Sequence, residues 1–503
     1  MGYDGAVVFL VPLVCLLSTS GVPPPSPSAE LGEKSQRGTE LMAAGRYADA
    51  VPVYRELVAA LPGTAGLLVN LGMALHLSGE DAEAIPRLEA ALRLQPDSLP
   101  ATLFLGAANL RLGRTAAAIA PLRKAVRLQP ANHDARSMLA EALVASARYA
   151  DAEPHLRHLA RSAPADPAAW LNLGNAYEEL AGRATADLAA REPESPFHLA
   201  LAAEARRKRA QRNGAFHRYR QAMERAPAMR GLHTAVAEIY RSAGHPDWAA
   251  VEEEKERRLP RPDCPRERLE CAFLERKYHE VVAGAAKSES PAARYWLARA
   301  YDALASQAFG HLAALPASAL SHERMAEVRR KEGRYEESAE HWRRAIALSP
   351  DDPRLQMELA VTLRQSRDLA GAQQVLEELA RVAPDAPDLN YFLGDVLLAR
   401  EDAERAIPFL EKAVKLEPGA AHAHGALGRA YALVGRAADA ITHLRLALPA
   451  DRDGSLRYQL ARSYQATGRA EEAGRALHDY EEFRKSSRAD AEPDDEVAIT
   501  PPR

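Results

Sequence analysis

Apolar residues return along most of this chain in a double rhythm: one stripe at helical spacing, a short polar turn, then a second stripe. In the stretch 65–98 the first stripe is Leu71, Gly72 and Leu75, and the second is Ala84, Leu88 and Ala91. These spacings place each set on one face of a helix. Gly72 and Ala84 are small, so the two helices are expected to approach closely there, and a larger side chain would overpack the joint by roughly 1–3 kcal/mol. Gly79 marks the turn, where a left-handed residue ends the first helix at little cost. An acid opens the second helix, Glu83 here and Asp49, Asp151, Glu337, Asp439 and Glu472 elsewhere, where it meets the positive end of the helix dipole. Pro96 stops the second helix, and Asp97 is expected to cap the next. No segment alternates apolar and polar residues for long enough to predict a sheet.

The turn is periodic. Gly-Arg-Tyr-Ala-Asp-Ala begins at Gly45, and equivalent runs begin at Gly79, Gly113, Ala147, Gly333, Gly435 and Gly468, the first four 34 residues apart. Leu-Gly or Leu-Ala recurs in the first-helix slot at Leu71, Leu105, Leu139, Leu173, Leu359, Leu393, Leu427 and Leu460. Prolines close most units, at Pro62, Pro96, Pro130, Pro164, Pro227, Pro350, Pro384 and Pro418. A fixed period of this length marks a solenoid. The pattern resembles the tetratricopeptide repeat (TPR) family. The resemblance implies an all-α fold, an α-α superhelix of stacked antiparallel helix pairs. Pro52, Pro86, Pro154 and Pro408 fall within the second helices, which are therefore expected to begin late or bend slightly there.

Composition along the chain predicts its organisation. Residues 6–17 form an apolar run too short to span a bilayer, followed by small residues at Ser18-Thr19-Ser20, so 1–20 reads as a signal peptide or N-terminal hydrophobic segment. A Pro-rich linker follows at 21–30, an N-terminal repeat array at 31–263, irregular or degenerate repeats at 264–318 and a C-terminal array at 319–487. An acidic tail, 488–503, is expected to be disordered. Two shortened units, around Leu173-Gly174 with Pro193 and around Leu297-Ala298 with Pro316, are each expected to form a single long helix or a stunted hairpin. The leader predicts an exported, periplasmic or extracellular protein, with a cytoplasmic or N-terminally membrane-anchored one as the alternative. No other membrane segment is expected.

Charge and reactive residues add little chemistry. The formal net charge of -4 argues against a general nucleic-acid binder. The basic run Arg206-Arg207-Lys208-Arg209, with Arg212, Arg218 and Arg220, reads as a solvated helix face. His155, His158, His422 and His424 lack the further ligands a metal would need, and no motif for a phosphate loop, zinc protease or nucleophile elbow is present. No catalytic residue, metal or cofactor is expected. Without residues 1–20 two cysteines remain, Cys264 and Cys271. In a straight helix seven residues separate Cα atoms by about 10 Å, too far to bridge, whereas Pro262 and Pro265 would allow a bend that permits a disulfide. Both the disulfide and a pair of ordinary thiols stay open.

The family resemblance places partner peptides on the first helices of successive units. Carried over slot by slot, the early groove presents Val69, Met73, Leu77, Leu103, Ala107, Leu110 and Leu171, an apolar wall. The late groove presents Met357, Arg364, Tyr391, Asp395, Arg429, Tyr458 and Arg462, where Arg and Tyr are common interface anchors. The function expected from this is a non-enzymatic scaffold that binds other proteins or peptides in the groove. A structural or assembly component of an envelope, secretion or pilus machine is one alternative, and an accessory subunit of an enzyme such as a glycosyltransferase is another.

Overall fold

The computed structural model of the protein describes residues 27–209, 211–490 and 498–502. The expected leader and the linker up to residue 26 lie outside them. Among the described residues the chain is helical throughout, and no helix is long and apolar enough to cross a membrane. It divides into two compact units, one comprising residues up to 180 with 301–309, the other 181–300 with 310 onwards.

In the first unit, α1 (Pro27–Ala43) pairs with α2 (Tyr47–Ala60), α3 (Ala65–Leu77) with α4 (Asp81–Leu94), α5 (Leu99–Arg111) with α6 (Thr115–Leu128), and α7 (His133–Ala145) with α8 (Tyr149–Ser162). A single long helix follows, α9 (Pro167–Arg191). Residues 301–309 complete this unit against the start of α9. Tyr301 stacks on Tyr177 with ring centroids 6.1 Å apart, and Phe309 packs at Gly174, where a Cβ would come within 2.3 Å of its ring. The shortened unit therefore borrows its second helix from a segment more than a hundred residues later in the chain.

The second unit continues with α10 (Pro196–Lys208) and α11 (Arg212–Arg225), α12 (Leu232–Ser242) and α13 (Pro246–Arg258), and a short pair, α14 (Arg268–Leu274) and α15 (Tyr278–Ala285). The other long helix is α16 (Pro291–Ala314). Regular pairs then resume with α17 (Ala319–Lys331) and α18 (Tyr335–Leu348), α19 (Pro353–Gln365) and α20 (Leu369–Val382), and α21 (Pro387–Ala399) and α22 (Ala403–Leu416). They end with α23 (Ala421–Leu433) and α24 (Ala437–Ala447), and α25 (Ser455–Ala466) and α26 (Ala470–Asp490). Cys264, in the turn before α14, and Cys271, inside it, are joined by a disulfide with Cα atoms 5.6 Å apart. The straight-helix distance does not apply because Cys264 precedes the helix.

Each hairpin turn is built alike. At the α3–α4 joint Gly79 takes a left-handed φ of 96°, and the Glu80 N–H reaches back to the Leu75 carbonyl at 2.7 Å. The same backward bond follows Gly45, Gly113, Gly333, Gly435 and Gly468, satisfying carbonyls that a helix end leaves without partners. The expected close approach is equally regular. A Cβ on Gly72 would lie 2.5 Å from Leu88 Cγ, and Gly106, Gly394 and Gly428 meet Leu122, Leu410 and Leu444 in the same way. Those leucines have no exposed surface, and each contributes about 1.5–3 kcal/mol by leaving water.

Two expectations need correction. The second helices do not begin at their prolines. Pro52, Pro86, Pro154 and Pro408 each stand sixth in their helix and are exposed, so the carbonyl each leaves without a donor can bond to water instead. Asp97 does not cap α5. Ser98 does, accepting from the Ala101 N–H at 3.4 Å, while Asp97 pairs with Lys124 at 3.0 Å. Within the stretch from residue 488, α26 runs to Asp490, and Ile499 packs on the core of the second unit.

Candidate partner-binding face

In the second unit α19, α21, α23 and α25 are successive first helices. Asp395 on α21 is buried, with 4% of its surface exposed. Its carboxylate meets the Arg364 guanidinium from α19 and, at 3.4 Å, that of Arg429 from α23. One anion thus holds two cations from the helices on either side, and both guanidinium groups keep part of their surface in solvent. Arginine suits this arrangement because its planar fork offers more donors than one carboxylate can use. Tyr391, one turn before Asp395, sits edge-on to the His422 ring at 4.5 Å and packs on the core beside Phe392. Burial pushes its phenol up, and the Asp395 charge adds to this. Met357 also packs against the core. Asp453, in the loop before α25, is held below the ordinary carboxylate range by hydrogen bonds from Ser455 and, more weakly, by the Arg429 charge. Beyond it Tyr458 is 41% exposed, its ring 5.4 Å from Tyr480 of α26, and Arg462 is exposed.

The early residues are placed differently. Val69 and Met73 are 6% and 5% exposed and belong to the apolar core of the first unit, with Tyr54 and Leu57 of α2 and Ala101 and Leu105 of α5. Leu77, Leu103, Ala107, Leu110 and Leu171 are half-buried. Of the early residues, Val69 and Met73 are thus core packing, and the other five keep part of their surface exposed. At the end of α3 lies a polar cluster that sequence reasoning missed. Asp81 is buried between His76 Nδ1 at 2.6 Å and the Arg111 guanidinium, whose Nη2 donates at 2.7 Å. Burial pushes the His76 imidazole down. Burial alone would raise the Asp81 carboxyl, but donors from Arg111 and His76 outweigh it and hold it low. The only sequence signal was an arginine at the end of the next first helix.

The remaining candidates resolve into structural contacts. Arg207 pairs with Glu204 at 2.7 Å and Glu238 at 3.3 Å, and Arg212 donates to the Ser242 carbonyl at 2.8 Å, so this part of the basic run is tied into its own unit. His155 faces Arg136 at 3.4 Å and His424 faces His443 at 2.8 Å. A second such histidine pair, His322 and His341, lies at 3.1 Å. Among the described residues no three His, Cys, Asp or Glu side chains are grouped to hold a metal.

A family model described as tetratricopeptide repeat matches residues 41–103, 109–177, 329–395 and 397–459, and a second of the same description matches 82–133. No curated protein matches the chain. Among solved structures, MamA from Desulfovibrio magneticus RS-1 is 21% identical, covering 33% of this chain and 96% of its own, with a TM-score of 0.31. TTC0263, a thermophilic TPR protein of Thermus thermophilus, is 24% identical, covering 33% and 91%, with a TM-score of 0.28.

Proposed function

The chain belongs to the tetratricopeptide repeat family, and from that premise we propose that it is a non-enzymatic scaffold binding partner proteins or peptides along the first helices of its second unit, α19 to α25. The observation that carries the reading is the Arg364–Asp395–Arg429 ladder. Three successive first helices are locked together through one buried carboxylate, and the two guanidinium side chains keep part of their surface in solvent. These side chains are fixed by their ion pairs before a partner arrives, so little ordering cost attends binding. Exposed Tyr458 and Arg462 extend the face on α25, and both residue types are frequent anchors. The favoured partner is an extended or helical peptide carrying carboxylates or free carbonyls.

Tyr458→Ala combined with Arg462→Glu alters two exposed side chains and leaves the ladder intact. Proximity labelling of the native chain identifies its partners, and in purified form those partners should bind the double variant at least tenfold more weakly. Unchanged affinity for every partner would remove this face from consideration.

A further inference from the structure

Residues 498–502, Ala-Ile-Thr-Pro-Pro, lie on the second unit. Tyr240, on α12, has no exposed surface and donates its Oη hydrogen to the Thr500 carbonyl at 2.7 Å, across 260 residues of sequence. Ile499 is half-buried against the apolar cluster that includes Phe216, Tyr219, Val236 and Tyr240. The socket is aromatic. The Phe216 ring lies 5.5 Å from that of Tyr240, Trp248 meets the same ring edge-on at 5.5 Å, and His245 stacks on Trp248 at 3.9 Å. The Arg220 guanidinium lies 5.9 Å over the Phe216 ring. A fixed hydroxyl reads a main-chain carbonyl, and an apolar socket takes the aliphatic side chain one residue earlier. These are the two elements by which a groove holds an extended peptide. The segment suits them: Pro501 confines Thr500 to extended backbone, and Pro502 confines Pro501, so little conformational freedom remains to be lost on docking.

We infer that this face of α10–α13 is a binding site for an extended peptide of the form aliphatic–Thr–Pro–Pro, that residues 498–502 occupy it in cis, and that a partner segment of the same chemistry displaces them. No residue of α19–α25 takes part, so the site stands or falls separately from the arginine ladder. A tethered occupant competes at an effective concentration of order mM, which makes the site a gated one.

The test uses a fluorescent synthetic peptide carrying the 498–502 sequence and the full chain, wild type and Ile499→Asp. The charged side chain should expel the segment from its socket, and the variant should then bind the labelled peptide at least tenfold more tightly than wild type. Adding Tyr240→Phe to that variant should weaken binding about fivefold, the worth of one neutral hydrogen bond. A labelled peptide with aspartate in place of its isoleucine should not bind. Hydrogen exchange at α12 should quicken in Ile499→Asp. Equal peptide affinity in wild type and Ile499→Asp would overturn the inference, as would Tyr240→Phe without effect or α12 exchange left unchanged. A wild-type mass that rises with concentration and falls to monomer in Ile499→Asp would also overturn it, by showing that the segment seats on a second copy.

Discussion

The first helices of the two units share one backbone frame and present different chemistry. In the first unit the slots at Val69 and Met73 are apolar and closed, absorbed into the same core as Tyr54 and Leu105. In the second unit the slots on α19, α21 and α23 hold Arg364, Asp395 and Arg429, with the carboxylate inside and the guanidinium groups reaching solvent. Each unit has a buried aspartate beside an arginine of the next first helix, among them Asp81 with Arg111 and Asp395 with Arg429. Asp81 stands at the head of a second helix and is sealed by His76, whereas Asp395 stands in the middle of a first helix and leaves two cations half exposed. A repeat frame thus fixes where side chains stand without deciding whether they face a partner. That depends on whether the neighbouring helix offers apolar surface to cover them.

The sharpest way to break the comparison is to place a charge in both faces. Met73→Glu puts an unpaired carboxylate in a closed apolar site and should cost about 3 kcal/mol or more. Arg462→Glu, on an exposed site, should cost less than about 0.5 kcal/mol. Urea denaturation followed by circular dichroism reads both. Similar midpoints for the two variants would show that Met73 is open to water and that the early face is a groove after all.

A smaller effect is expected at the ladder. Asp395→Asn keeps the side chain's shape and removes its charge, leaving Arg364 and Arg429 without their shared counterion. Both can turn toward water, so the loss should be about 1–2 kcal/mol, below that of a fully buried pair. The same change should alter partner affinity, since the guanidinium groups lose the anchor that aims them. A stability loss with no change in binding of a purified partner would assign the ladder to the fold alone.

The repeat frame is legible in the sequence because each of its devices is local. The turn glycines, the Leu-Gly approach and the acids near second-helix starts act within one hairpin and recur at a fixed spacing. What is not legible depends on contacts between distant segments. Nothing near Gly174 announces that Phe309 will fill its missing second helix, and nothing near Tyr240 announces Thr500. The burial within the early slots was hidden for a related reason: the slot of Val69 and Met73 is known from the period, but its burial follows from the size of side chains on α2 and α5. Asp395 shows the reverse case. Its slot was readable, whereas its role as a shared counterion required knowing that arginines stand on both neighbouring helices at matching heights.

The finest test of a shared frame lies in the turns where glycine is absent. Ala147 in the first unit and Arg367 in the second adopt φ of 55° and 66°, the left-handed region. Each is followed by the same backward hydrogen bond, from Arg148 to Leu143 at 2.8 Å and from Asp368 to Leu363 at 2.9 Å. A side chain bearing Cβ pays roughly 1–2 kcal/mol to stand there, and glycine returns part of that through its greater freedom in the unfolded chain. Ala147→Gly and Arg367→Gly should therefore each stabilise the protein, by about 0.5–1 kcal/mol, and by similar amounts. Paired denaturation curves decide it. A gain at one position with a loss at the other would mean that the two turns carry different strain, and that the units differ in frame as well as in surface.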